Sequence, residues 1–245
     1  FIDVRVDLFK RFKFVESPCT MVLVCICCCL FLLQFFDHSH MLKRLFWISQ
    51  DYLGNQLGIK SFYEILNGEV WRLVTPSLLH HDLLHLGFNM WWLYQLGVKV
   101  ERNEGRFFYI VLLMVIAAFS NVAYYLVAGP NFEGMSGVIY GLVGYLWVKD
   151  SMNPRPSYDL DPSLVRFFVI WYIFCLILTF MGFGVANTVH GVGAVMGILV
   201  GFFQVSRKMS VSYAHFFNQE SLYTLGIVMA LLFGGAYVDH FTYYR

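Results

Sequence analysis

"GMSGVIYG" (residues 134–141) places one serine among three glycines, and an apolar run follows it as far as Val148. Residues without side-chain bulk let other backbone come close. A hydroxyl set among them is either turn filler or a nucleophile that must be approached closely. The choice depends on where the other polar residues of the apolar segments lie.

Composition fixes the class. The 245 residues are 58% hydrophobic and 13% charged, about half the charged share of a soluble domain. The 17 basic and 16 acidic residues nearly cancel, so no basic field exists to attract nucleic acid. The chain reads as one all-α polytopic membrane protein. Apolar runs able to cross a bilayer lie near 19–36, 83–98, 107–128, 134–148, 167–183, 185–205 and 221–238. The first lacks a small-residue cleavage site and is not a signal peptide. Five of the six cysteines crowd into it and read as small hydrophobic filler rather than a disulfide framework. The connection 37–82 is rich in aromatics and both charge signs, which suits a partly helical lobe on the membrane surface. The expected organisation is an arm at 1–18, a six-helix core at 19–205 that includes the 37–82 loop, and a linker with a seventh helix at 206–245. The sequence opens on Phe1 rather than Met, so residues upstream are expected.

Basic residues orient the spans. Twelve of the 17 fall on the side of the N-terminal arm and five on the other, so the N-terminus is expected in the cytoplasm. Spans two, four and six then all begin outside, with "LLHHDLLHLGFN", "EGMSG" and "VANTVHGVG". His80, His81, His85, Asn89, Ser136, Asn187 and His190 therefore share one depth. Intramembrane polar groups are costly, and their convergence points to a site. Span four is short: 15 residues cover about 22 Å against roughly 30 Å of hydrocarbon. Ser136 is thus expected in a depression below the membrane surface. Gly137, Gly141 and Gly144 line span four, and Gly193, Gly197 and Gly201 recur every four residues on span six. Small residues at that spacing let membrane helices touch, which carries Ser136 toward His190.

The residue types fit acyl transfer. A serine needs a base, and imidazole titrates near neutrality. His85 and Asn89, four apart, share a helix face and could donate to an oxyanion with the Ser136 N–H. Span six holds no carboxylate to stand behind His190, and the nearest candidates are Asp82 and Glu133 at the outer rim. A Ser136–His190 dyad is expected, with the Tyr140 ring stacked on the imidazole.

The chain resembles the rhomboid intramembrane serine proteases. The resemblance rests on Gly134, Ser136 and Gly137 with Tyr140, on "VHGVGAVMG" with His190 and Gly193, and on "HHDLLHLGFN". Trp71-Arg72, Glu101 and Gly105 are similar to further family positions, and the likeness runs from about 69 to 205. It implies Ser136 as nucleophile, His190 as base, His85 and Asn89 at the oxyanion, and His80 near the mouth. It implies a six-helix core with one extra helix at the C-terminus, and a hydrolysis without cofactor or metal. Substrates would be transmembrane proteins cut in or just outside their helices, entering laterally between spans two and five. The bulky faces and terminal glycines of span five suit a movable gate and a flexible cap. One position departs: Pro76 stands where some members carry a histidine. A short arm without a transit-like segment suits a bacterial plasma membrane.

Three other readings compete. "HDLLH" (81–85) has the two-histidine spacing of a zinc helix, with Asp in place of the usual Glu. An inactive rhomboid-like binder of transmembrane helices would lack the serine or the histidine, and both are present. A proton channel or transporter would want intramembrane acids or an inverted repeat.

Overall fold

The computed structural model describes residues 16–50, 60–152, 158, 160–209 and 234–240. Among these the secondary structure is helical, without strands. Helix α1 (Pro18–Phe36) opens with proline in its first turn, where the missing N–H costs nothing. Its 19 residues rise about 28 Å, close to the thickness of hydrocarbon. Glu101 anchors its start by accepting from Cys19 N (2.9 Å), Thr20 N (2.8 Å) and Thr20 Oγ1 (2.7 Å).

The outer lobe contains α2 (Met41–Phe46), α3 (Tyr63–Leu66) and two 3₁₀ turns, Val70–Leu73 and Thr75–Leu78. Arg72 organises it. The guanidinium is fully buried, donates to the Arg44 and Trp47 carbonyls at 2.7 Å each, and pairs with Glu69 at 2.6 Å. Residues 51–59 of this lobe lie outside the described residues.

Helix α4 (Leu83–Glu104) outlasts the apolar run 83–98, because its polar last turns have partners. Glu101 takes α1, Lys99 donates to Tyr158 O (2.9 Å), and Glu104 pairs with Lys149 (2.7 Å). Gly105, at φ +87°, makes the break into α5 (Arg106–Ala128). Helix α6 (Ser136–Ser151) is the central element, buried on every side from Gly137 to Leu146. Helix α7 (Pro162–Phe180) starts earlier than the apolar run at 167, because Asp161 caps it by accepting from Ser163 N (2.8 Å) and Pro162 follows. Helix α8 (Asn187–Met209) follows.

Among the described residues four helices are long and apolar enough to cross a membrane: α1, α5, α7 and α8. Exposed Leu33, Phe36, Phe107, Phe119, Ile170, Phe180, Leu199 and Phe203 on these four give them an oily exterior suited to lipid. At the end of α6 remote from Ser136, Lys149 and the Tyr145 hydroxyl both donate to Gln204 Oε1 (2.9 and 2.7 Å), which ties α6 to α8. Most of the arm (1–15) and of the expected seventh span (221–233) lies outside the described residues. Residues 234–240 are helical and lie against α7 and the start of α8: a Cβ on Gly235 would overlap the Tyr172 hydroxyl.

Candidate active site

The contact between α6 and α8 is backbone on backbone. A Cβ on Gly193 would overlap the Gly137 carbonyl, and one on Gly197 the Gly141 carbonyl. One on Gly144 would sit 2.5 Å from Ala194 O. Only glycine permits this approach. The register that results sets the first residue of α6 beside the first turn of α8.

There Ser136 Oγ lies 2.9 Å from His190 Nε2, across 54 residues of sequence. With the imidazole proton on Nδ1, the hydroxyl donates to Nε2. The Tyr140 ring stacks on the imidazole, with centroids 4.7 Å apart and planes 22° apart. Its hydroxyl donates to Phe168 O on α7 (3.2 Å). Tyr172 meets the imidazole edge-on at 6.2 Å. Sequence alone did not single out Tyr172.

Gly134 holds the turn before the serine at φ +128°, a conformation that a side chain disfavours. A Cβ there would also sit 2.7 Å from His85 Nε2 and 3.5 Å from Asn89 Nδ2. Both side chains therefore face this turn. Asn89 is fully buried, and neither of its polar side-chain atoms has a partner among the described residues. A buried amide in that state has unused donor capacity. His80 Nε2 accepts from Met135 N at 3.5 Å. Burial, with the neighbouring His85 second, pushes the His80 imidazole down to about 3, so it stays a neutral acceptor. Pro76, the departure noted above, accepts from Gly134 N through its carbonyl (3.2 Å), so the turn keeps an anchor at that position.

His81, Asp82 and His85 gather at the rim, where each can offer a ligand atom within 4.8 Å of the others. His81 Nδ1 and His85 Nδ1 lie 3.1 Å apart, and His81 Nε2 is 2.8 Å from Asp82 Oδ2. The other Asp82 oxygen accepts from His85 N (2.7 Å) and caps α4. Glu133 pairs with Lys43 (3.1 Å) and accepts from Trp47 Nε1 (3.1 Å) and Gln34 Nε2 (3.2 Å). Neither acid is hydrogen-bonded to His190 among the described residues. A carboxylate that the sequence reading passed over, Asp239, lies at the start of α8 and accepts from its first two amides. Its signal was an acid at the end of an apolar run.

A helical protein in which a serine meets a histidine, next to a turn faced by a buried amide, has the makings of a hydrolase. Residues 67–207 match the Rhomboid domain. The chain is similar to proteins named Rhomboid protease GlpG. That of Yersinia pestis (strain Pestoides F) is 29% identical over 200 residues, covering 79% of this chain and 67% of the relative. That of Photorhabdus laumondii is 34% identical over 148 residues, covering 60% and 52%. The chain belongs to the rhomboid family. It is an integral membrane protein and a serine-protease hydrolase of that family.

Proposed function

We propose that the chain is an intramembrane endopeptidase that hydrolyses peptide bonds in or beside the transmembrane helices of other membrane proteins by a Ser136–His190 dyad. The single observation that carries the reading is the 2.9 Å approach of Ser136 Oγ to His190 Nε2. Ser136 Oγ attacks the scissile carbonyl as its proton passes to Nε2. The oxyanion takes hydrogen bonds from the Ser136 N–H, Asn89 Nδ2 and His85 Nε2. The imidazolium then protonates the leaving amine, and water, activated by the same base, releases the acyl group. Tyr140 holds the ring in plane, and Gly134, Gly137 and Gly193 allow the close approach. A substrate helix hides its own carbonyls and must unwind locally to react. Access between α4 and α7, a cytoplasmic N-terminus and residence in a bacterial plasma membrane complete the proposal.

The test is cleavage of a model transmembrane substrate by the purified chain in detergent. Ser136→Ala and His190→Ala are each expected to lose about 10⁴-fold or more, and Asn89→Ala about 10²- to 10³-fold. A chelator should leave cleavage unchanged. Cutting that survives Ser136→Ala and stops with chelator would move the chemistry to His81 and His85, the second reading, which the clustering of those residues with Asp82 favours.

A further inference from the structure

Helix α8 begins without a cap of its own. The residue before Asn187 is Ala186, which has no side-chain oxygen to receive the free amides of a first helical turn. The Val185 carbonyl takes Asn187 N locally (3.1 Å), and the side-chain acceptor comes from 52 residues away. Asp239 Oδ1 accepts from Asn187 N (3.2 Å) and Asn187 Nδ2 (3.0 Å), and Oδ2 accepts from Thr188 N (2.5 Å). Asp239 is 2% exposed, and Asn187 and Thr188 are as deeply buried. A carboxylate so withdrawn from water is tolerated only against firm donors, and the amino end of a helix supplies both donors and positive potential.

The same residue gathers three elements. The Asn187 amide also donates to Thr179 Oγ1 on α7 (2.7 Å), and the Tyr172 hydroxyl donates to Asn187 O (3.4 Å). His190 is three residues further along α8, so the rotation and depth of this turn decide where Nε2 points.

We infer that Asp239 is a positioning residue for the catalytic base: the C-terminal helical segment delivers a carboxylate that caps α8 in place of a local residue and holds His190 in register with Ser136. The inference rests on the dyad proposed above. It makes the segment 234–240 part of the working unit, although the family match ends at 207. Asp239 acts through the helix and does not touch the reacting atoms.

The experiment uses the full chain in detergent and reads three quantities on each sample: the rate at which a fluorophosphonate labels Ser136, kcat and KM on a transmembrane substrate, and the melting midpoint. Labelling depends on the base and not on substrate docking. Labelling of wild type that disappears in Ser136→Ala is required first, and its absence would sink the dyad rather than the role of Asp239. Asp239→Asn is expected to slow labelling and kcat together by roughly 10- to 100-fold, the scale of a sub-ångström to ångström misplacement. KM should stay within about twofold, because the change acts on chemistry and not on uniform binding. Adding Ala186→Ser, which places an acceptor at the vacant cap, is expected to recover most of the labelling rate. All rates are compared well below each melting midpoint, so unfolding is kept apart from misplacement. Labelling and kcat within twofold of wild type in Asp239→Asn, with only the midpoint lowered, would overturn the inference and leave Asp239 as an anchor. Recovery of the midpoint without recovery of labelling would overturn it as well.

Discussion

Helix α6 meets α8 through backbone, while α7 meets α4 through rings. On the first seam the Gly137 and Gly141 carbonyls fill the places where Gly193 and Gly197 would carry side chains. On the second, Phe88 stacks on Trp171 at 5.1 Å, and Trp92 meets Phe168 edge-on at 5.0 Å. Backbone in contact with backbone has one register, and any slip opens a gap or a clash. Ring contacts have several offset and tilted arrangements of similar energy. The proposed dyad spans the seam that cannot slide, and access for a substrate is proposed at the seam that can.

The strongest way to break this contrast is to add one methyl to the rigid seam. Gly197→Ala drives a Cβ into the Gly141 carbonyl, and backbone cannot rotate away as a flexible side chain would. Overpacking costs about 1–3 kcal/mol and sometimes more, so the melting midpoint should fall clearly. A shift of about 1 Å between α6 and α8 should also lower cleavage about 100-fold. Activity near wild type would mean that the seam is not what sets the distance from Ser136 to His190. Loosening the other seam should act in the opposite direction. Trp171→Ala removes a stack worth about 0.5–1.5 kcal/mol, which favours the open arrangement by up to about tenfold. Cleavage of a transmembrane substrate should rise, while cleavage of a short soluble peptide should not. A fall in both would show that the rings support the site instead of gating it.

A smaller effect is expected at Asp82, which caps α4, one side of the ring seam. The His85 N–H, donating to its carboxylate, holds Asp82 below the ordinary carboxylate range. Such a group stabilises the fold above that range, and the contribution is lost as pH falls through the lowered value. Asp82→Ala should therefore cost about 1 kcal/mol near neutral pH, less to the extent that the half-exposed carboxylate is screened by solvent. In melting curves the difference from wild type should shrink in acid. A difference that persists at low pH would assign the effect to packing rather than to the cap.

The helical core was legible because apolar runs and four-residue glycine spacing are local signals. Helices α1, α5 and α6 lie within three residues of the runs that announced them. Two helix ends run beyond their apolar runs, one held by distant partners and one by a local cap. Lys99–Glu104 lies beyond the apolar run 83–98, yet it is helix, because Glu101 and Glu104 find donors on α1 and α6. The start of α7 was hidden behind the polar Asp161-Pro162 signal. In the site, Ser136 and His190 could be paired from glycine register and depth. Asp239 could not, because its partner amides lie some fifty residues away and hydrophobic periodicity does not report a cap supplied across the fold. Of the expected seventh span, only its last part falls within the described residues.

The loop joining α7 to α8 lies where the soft and rigid parts meet, and Gly184 within it offers the finest test. The residue is exposed, a Cβ there would meet nothing within 4 Å, and its φ lies outside the left-handed region. Alanine should therefore fit without strain. It should hold or raise stability by about 0.4–1 kcal/mol by narrowing the unfolded ensemble. Gly182, two residues earlier, has φ +94°, and the same change there is strained even though its surroundings are equally open. If the loop only connects the two helices, Gly184→Ala should leave cleavage within about twofold while Gly182→Ala lowers the melting midpoint. If instead the loop must flex as a cap for substrate to reach Ser136, Gly184→Ala should slow cleavage of a transmembrane substrate without lowering the midpoint or slowing the labelling of Ser136. That outcome would make the loop before α8 part of the proposed access route, with the fixed seam beginning where Asp239 holds Asn187.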